Sequence, residues 1–408
     1  MRTDSKTLYD FLSDDQISIL ERHLQSRFAN NYRNEKFNVV FDLLHQCDIN
    51  CVGCGTNAIC IKGIQKIENP ELTFEDIEKI LLKIRCYADK TNKEVFINFG
   101  GGEPFLRNDI IQILKRAYEL FGANGVGIDT NASLIDSYEL ISQATPYVSY
   151  IGVSINGLHD YHNWWANNHI FDAYKRATGV VQRLCKVPEL VSKLEVTTVA
   201  TTRNIESIPA LMEELSEMGV KNYSVHRAIP VGRMEKQKMN LIPSWKQYLF
   251  LLLRMIETAK KTGMNAHLHH SIEAIHGALM CGIDTLAEQK LLDKNHRSSI
   301  GIEPDGELTI DPWCTVGYWK TLSLGNILCD SKTIEELFAE NQEKITAIQK
   351  CYAVDYRCGG CNERCSGGNR IVAAATSLEE MKKDYNIETI YQAFSEKDPA
   401  CPIYEVVK

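Results

Sequence analysis

Three cysteines, Cys47, Cys51 and Cys54, fall within eight residues in the spacing C-x3-C-x2-C. Cysteine thiolates are the usual ligands of an iron–sulfur cube, and three so close together can wrap one of its faces. A cubane has four irons, so a local triplet leaves one iron open to another ligand. Gly53 and Gly55 let such a loop curl closely around sulfide. Zinc is the alternative for the same residues, with Cys60 or His45 completing four ligands. Zinc loops more often pair their cysteines as C-x2-C twice, and this triplet does not.

A second constellation is Gly100-Gly101-Gly102-Glu103-Pro104. Its glycines let backbone groups approach a ligand, Pro104 stiffens the exit, and Glu103 offers a carboxylate to a cationic amine. It is no dinucleotide fingerprint, because the third glycine of G-x-G-x-x-G is missing. Read alone, it serves equally well as a simple turn.

The elements that must position these residues follow an alternating rhythm. Strand-like runs occur at 38–44, 95–99, 126–130, 148–155, 194–200 and 223–228, with amphipathic helical patterns between them. Thr73 and Asp76 suit a capping box ahead of Ile77, Ile80, Leu81 and Ile84 on one helical face. Alternation of this kind predicts an α/β fold, a parallel sheet with right-handed crossovers. Six units are two fewer than a closed barrel needs, so the expectation is a partial (β/α)6 barrel with its active face at the carboxyl ends of the strands. The expected organisation is an N-terminal helical arm over 1–37, the barrel over 38–240, a helical bridge over 241–300 and a Cys-rich domain over 301–408.

Composition narrows the function. The 408 residues carry a net charge of −8, and no run of Lys and Arg stands out, which argues against a nucleic-acid binder. The N-terminus lacks a signal-peptide core, and no apolar run approaches the ~20 residues of a membrane span. The expected setting is cytoplasmic, without a membrane partner. Fourteen cysteines in a reducing compartment, four of them between residues 47 and 60 and seven between 314 and 401, point to metal rather than disulfides.

Cys47-x3-Cys51-x2-Cys54 after the first strand resembles the signature of radical S-adenosylmethionine enzymes, and Gly101-Gly102-Glu103-Pro104 on the next strand resembles that family's GGEP motif. The resemblance implies a [4Fe-4S] cluster on Cys47, Cys51 and Cys54. It also implies S-adenosylmethionine held by Gly100, Gly101, Gly102, Glu103 and Pro104. Asn131, Ser154 and Arg203, at later strand ends, match positions that line the family's ribose and carboxylate pocket. Gly53 departs from the pattern, standing where the family often has an aromatic residue, and Asn156 stands where many relatives have Asp. His162 resembles a family histidine, and the neighbouring Trp164 and Trp165 suit packing.

Ile302-Glu-Pro-Asp-Gly306, then Cys314, and later Cys358-Gly-Gly-Cys361-Asn-Glu-Arg-Cys365 with Cys401 resemble a SPASM or twitch domain, which binds auxiliary iron–sulfur clusters. One auxiliary cluster would use Cys358, Cys361, Cys365 and Cys401. A second would draw on Cys314, Cys329 and Cys351, with Cys281 a further candidate. Zinc on four thiolates is the alternative. Three departures from the pattern stand out: a short gap before Cys365, Asn369 in place of a cysteine, and a long gap after Gly306.

In the chemistry so implied, a 5′-deoxyadenosyl radical removes a hydrogen from the substrate. The favoured substrate is a ribosomally made peptide or protein side chain, to be crosslinked, oxidised or epimerised. The alternatives are a small-molecule substrate such as a sugar or aminoglycoside, and a non-catalytic zinc or iron–sulfur scaffold. Expected partners are an electron donor such as flavodoxin or ferredoxin and a separate peptide-binding protein, since the arm before residue 38 is too short for a leader-binding domain.

Overall fold

The computed structural model describes residues 12–31, 36–61, 71–269, 299–309, 323–349, 386–394 and 396. Its helices are α1 (Asp14–Asn31), α2 (Phe74–Thr91), α3 (Ile110–Phe121), α4 (Ser137–Ala144), α5 (His159–Ala166), α6 (Ala173–Leu184), α7 (Pro188–Val191), α8 (Ile208–Glu217), α9 (Lys238–Leu241), α10 (Trp245–Thr262), α11 (Ile334–Glu340), α12 (Gln342–Gln349) and α13 (Ile387–Phe394). Its strands are β1 (Phe37–Asp42), β2 (Gln46–Cys47), β3 (Ile59–Cys60), β4 (Val95–Gly100), β5 (Val126–Thr130), β6 (Tyr150–Ser154), β7 (Leu194–Ala200), β8 (Asn222–Arg227), β9 (Asn265–Leu268), β10 (Ser299–Ile302), β11 (Glu307–Thr309) and β12 (Ser323–Asn326).

One sheet runs in the order β12-β11-β10-β1-β4-β5-β6-β7-β8-β9. The neighbours from β10 to β9 are parallel, and β11 and β12 add an antiparallel end. The six strands announced by the sequence are β1, β4, β5, β6, β7 and β8. The structure adds β9 beyond β8 and β10 beyond β1. Both are four residues long, and β10 contains a glycine, so neither carries enough apolar alternation to register as a strand. Among the described residues β9 and β12 remain edges, and the barrel stays open.

Local chemistry accounts for the helices. Thr73 and Asp76 form the expected capping box of α2, and Ser244 with Gln247 does the same for α10. Ile77, Ile80, Leu81 and Ile84 of α2 then bury one face against outward strand residues such as Ile97, Phe99 and Ile128. Helix α10 packs on α8 and leads into β9. Lys83 of α2 donates its ammonium to the carbonyls of Ile327 (2.8 Å), Cys329 (2.6 Å) and Lys332 (3.0 Å), which ties the segment after β12 to the barrel's helical layer.

The inward side of the strands differs from that of a filled barrel, whose centre is packed with branched aliphatic layers. Here the inward positions include Asn98, Gly127, Asp129, Gly152, Ser154, Glu195, Thr197, Ser224 and His226. Small and polar residues leave a lumen, and it opens at the strands' carboxyl ends toward the cysteine loop.

Candidate active site

The cysteine loop is laid down on the glycine turn. After β1, the Leu43 amide donates to the Gly100 carbonyl (2.9 Å), the Gly102 amide to Leu44 (2.8 Å) and the Glu103 amide to Gln46 (2.9 Å). Gly101 has φ +106°, and a Cβ on Gly102 would stand 1.8 Å from the Gln46 carbonyl oxygen. The glycines are therefore required by the backbone that carries Cys47, whatever else they hold.

From the other side, Arg233 clamps the loop. Its Nε donates to the Cys51 carbonyl (2.7 Å), its Nη1 to the Ala58 carbonyl, and its backbone amide to the Cys54 carbonyl (3.0 Å). Gly232, with φ +60°, allows this approach, since a Cβ there would lie 2.2 Å from the Cys54 oxygen. The Ala58 amide donates to Cys54 Sγ (3.3 Å), and Asn131 Nδ2 lies 3.5 Å from Cys47 Sγ. Burial pushes the Cys47 and Cys51 thiols well above their ordinary range, while Arg233 pulls Cys51 the other way.

Beneath the cavity lies a polar network around Glu103. This carboxylate is fully buried and accepts from the Thr130 hydroxyl (2.9 Å), the Asn131 amide (2.8 Å) and the Phe105 amide (3.1 Å). Burial, with the Asp48 charge nearby, pushes it up to about 8 despite those donors. Asp48 accepts from Asn131 Nδ2 (2.8 Å) and from the Ser133 hydroxyl. Asp48 and Ser133 are members of the site that the sequence did not single out. Their only signal was adjacency to Cys47 and to the Thr130-Asn131 strand end.

One cavity gathers Cys47, Cys51, Cys54, Gly100, Gly101, Gly102, Asn131 and Ser154, together with Asp129, Asn156, His162, Trp165, Thr197, His226 and Arg233. Glu103 and Pro104 are buried below it and do not line it. Arg203 is not brought there either, because its guanidinium lies over the Trp164 ring at 3.8 Å. The space an aromatic residue at position 53 would take is filled by Trp165, whose ring comes 2.3 Å from a Cβ built on Gly53. His45, a potential fourth zinc ligand, is engaged by Glu71 at 3.1 Å. Cys329 is exposed beside Ser331 and does not line the cavity. Cys281, Cys314, Cys351, Cys358, Cys361, Cys365 and Cys401 lie outside the described residues.

The donor set fits a cubane. Three thiols share the cavity wall, without a fourth cysteine lining it among the described residues. A tetrahedral structural zinc takes four ligands, and of the candidates for a fourth, His45 is turned to Glu71. A cluster distributes its ligands over separate irons.

Residues 43–215 match the model of the Radical SAM superfamily. The Fe-coproporphyrin III synthase of Methanosarcina barkeri is 24% identical over 405 residues, covering 93% of this chain and 91% of that one. The pre-heme d1 synthase of Dinoroseobacter shibae is 22% identical, covering 85% and 84%. Among solved structures, Streptococcus suis SuiB bound to its precursor peptide SuiA has a TM-score of 0.63 at 16% identity, covering 91% of this chain and 79% of that chain. Cysteine spacing, glycine turn, open parallel barrel and matched model agree on a radical SAM domain over residues 43–215, and that superfamily works with a [4Fe-4S] cluster and S-adenosylmethionine.

Proposed function

We propose that the chain abstracts a hydrogen atom from a peptide or protein side chain and so modifies it. The cluster and S-adenosylmethionine together supply a 5′-deoxyadenosyl radical for that step. Cys47, Cys51 and Cys54 would hold the cluster, and Arg233 keeps their loop in register through the Cys51 and Ala58 carbonyls. Asn131 places an N–H donor against the Cys47 sulfur, and the buried Glu103 fixes Asn131. The buried Trp165 and His162 wall the cavity. His162 is held neutral, its range lowered to about 4 by burial, and its Nδ1 accepts the Asn156 amide at 3.0 Å.

The observation that carries the peptide reading is the cavity's cation content. Among the described residues its only Lys or Arg is Arg233, and that side chain is committed to loop carbonyls. A polycarboxylated macrocycle asks for several guanidinium or ammonium partners, whereas a peptide does not. The SuiB structure with a bound precursor peptide supports the same direction at the level of fold. A second reading, tetrapyrrole modification, is favoured by the near full-length alignment with Fe-coproporphyrin III synthase.

The C-terminal cysteines Cys358, Cys361, Cys365 and Cys401 are proposed as ligands of an auxiliary cluster. An iron content of roughly eight per chain, falling to roughly four in Cys361→Ala, would support it. The substrate proposal is tested by incubating reduced, S-adenosylmethionine-loaded protein with a deuterated peptide encoded beside its gene. Deuterium in the 5′-deoxyadenosine is the expected result. Turnover with a carboxylated tetrapyrrole alone would put the second reading first.

A further inference from the structure

The inner wall of the barrel carries a row of carboxyl groups spaced by glycines. In the parallel register Asp42 of β1 pairs with Gly100 of β4, and Gly100 is followed across the sheet by Asp129 of β5. Asp129 pairs with Gly152 of β6, and Gly152 with Glu195 of β7. The glycines leave room for the acids beside them. A Cβ on Gly152 would meet Asp129 Oδ1 at 2.0 Å, and one on Gly100 would lie 3.6 Å from Asp42 Oδ1. Gly100 and Asp129 also line the cysteine cavity, so the row runs from the cofactor site into the lumen.

The members of this row are not equally satisfied. Asp129 accepts from Asn98 Nδ2 (2.5 Å), and Glu195 from Ser224 Oγ (2.6 Å) and the Tyr150 hydroxyl (3.4 Å). Asp42 is 6% exposed, and its carboxyl has no hydrogen-bond or ion-pair partner among the described residues. Its oxygens are not among the fully buried, unsatisfied side-chain atoms, so this carboxyl keeps some contact with open space and can take a donor from a bound molecule. The strands from β10 through β9 contain one Lys or Arg, Arg227, which follows the inward His226 and so falls on the opposite face. The row therefore has acceptors and neutral donors around it, and no Lys or Arg of the described strands on its face.

We propose that the Asp42–Asp129–Glu195 row is a substrate-recognition wall, and that it takes a cationic nitrogen group, the ammonium or guanidinium of a basic side chain in the peptide. The inference rests on the peptide reading above and narrows it. A cation in the lumen would meet Asp129 on the cavity wall, with Asp42 and Glu195 at the same level of the sheet to either side, and would displace no Lys or Arg of the described strands. Like charge in the substrate is repelled by the same wall, which disfavours a polycarboxylated ligand.

The test uses the reconstituted, S-adenosylmethionine-loaded full chain, titrated anaerobically by calorimetry. The probes are acetyl-Gly-Lys-Gly-amide, its norleucine counterpart and Fe-coproporphyrin III. The lysine peptide should bind about ten-fold tighter than the norleucine peptide. Asp42→Asn should shrink that preference to about three-fold or less, while the spectral response of the cluster to S-adenosylmethionine is retained. If Asp42→Asn fails to melt cooperatively, Glu195→Gln replaces it with the same expectation. Equal affinity for the two peptides, no binding of either up to millimolar concentration, or a full preference in the variant overturns the inference. Tight binding and turnover of a tetrapyrrole overturns the peptide reading as well, and is distinguishable because it is seen without any peptide.

Discussion

Gly53 and Trp165 occupy one space: a Cβ on residue 53 would stand 2.3 Å from Trp165 Cη2 and 2.5 Å from Met234 Cε. The Val52 amide also donates to the Trp165 carbonyl at 2.8 Å, so the cysteine loop is docked on α5 by backbone and ring together. A side chain at 53 must displace the indole. Gly53→Val should cost about 1–3 kcal/mol in the parent chain, and much less in a Trp165→Ala background. Chemical denaturation of the four proteins in a double-mutant cycle reads the coupling. An additive result would mean that the two positions do not share the space.

The glycine turn gives a paired prediction. Gly102→Ala forces a Cβ onto the Gln46 carbonyl, where backbone rather than a flexible side chain must yield, so a loss of about 3 kcal/mol or more is expected. Gly179, inside α6, has no atom within 4 Å of an added Cβ, and Gly179→Ala should gain about 0.5–1 kcal/mol from helix propensity. Thermal melts of the apoproteins separate the two. A neutral Gly102→Ala would remove the packing reason for that glycine.

Hydrogen bonds to cluster sulfurs raise the reduction potential by favouring the more negative, reduced state. Asn131 Nδ2 lies 3.5 Å from Cys47 Sγ. Asn131→Ala should therefore shift the potential downward, by on the order of tens of millivolts, with iron content unchanged. Redox titration followed by electron paramagnetic resonance measures it. An unchanged potential would leave Asn131 as a partner of Asp48 alone.

Asp42 provides a pH signature in the apoprotein. Burial, and then the Asp129 charge, raises its carboxyl to about 7 from the ordinary 3.8. Between these values the folded chain holds a proton that the unfolded chain has lost, so this group's contribution to stability falls as pH rises from 4 to 7. Asp42→Asn should thus stabilise little at pH 4 and by up to ~4 kcal/mol at pH 8. His162, lowered to about 4 by burial, acts with the opposite sign, its contribution rising with pH from 4 to 6.5. Denaturant midpoints of parent and variant at several pH values give the difference. A gain independent of pH would contradict the buried, unpartnered carboxyl.

Much of this arrangement was legible in the sequence. The six central strands announced themselves because outward Ile, Val and Phe alternate with inward small or polar residues, and α2 because Thr73 and Asp76 cap a regular apolar face. The cysteine triplet and the glycine turn were visible as residue types at fixed spacing. Strands β9 and β10 were not, since four residues at a sheet edge hold too little pattern. The clamp by Arg233 was not legible, because its partners Cys51 and Ala58 lie 182 and 175 residues away. The acid row required the register, which brings Asp42, Asp129 and Glu195 to one level across strands that are far apart in the chain. Arg203 went the other way: a cation next to a strand end looks like a ligand, yet it stacks on Trp164.

The most direct test of the whole account is electron paramagnetic resonance of the anaerobically reconstituted, dithionite-reduced chain, recorded with and without S-adenosylmethionine. A reduced [4Fe-4S] signal whose g values move on adding S-adenosylmethionine, with release of 5′-deoxyadenosine, and loss of both responses in Cys54→Ala, is the expected result. A signal indifferent to S-adenosylmethionine, or a response that survives in Cys54→Ala, would contradict the assignment of the open-iron cluster to Cys47, Cys51 and Cys54.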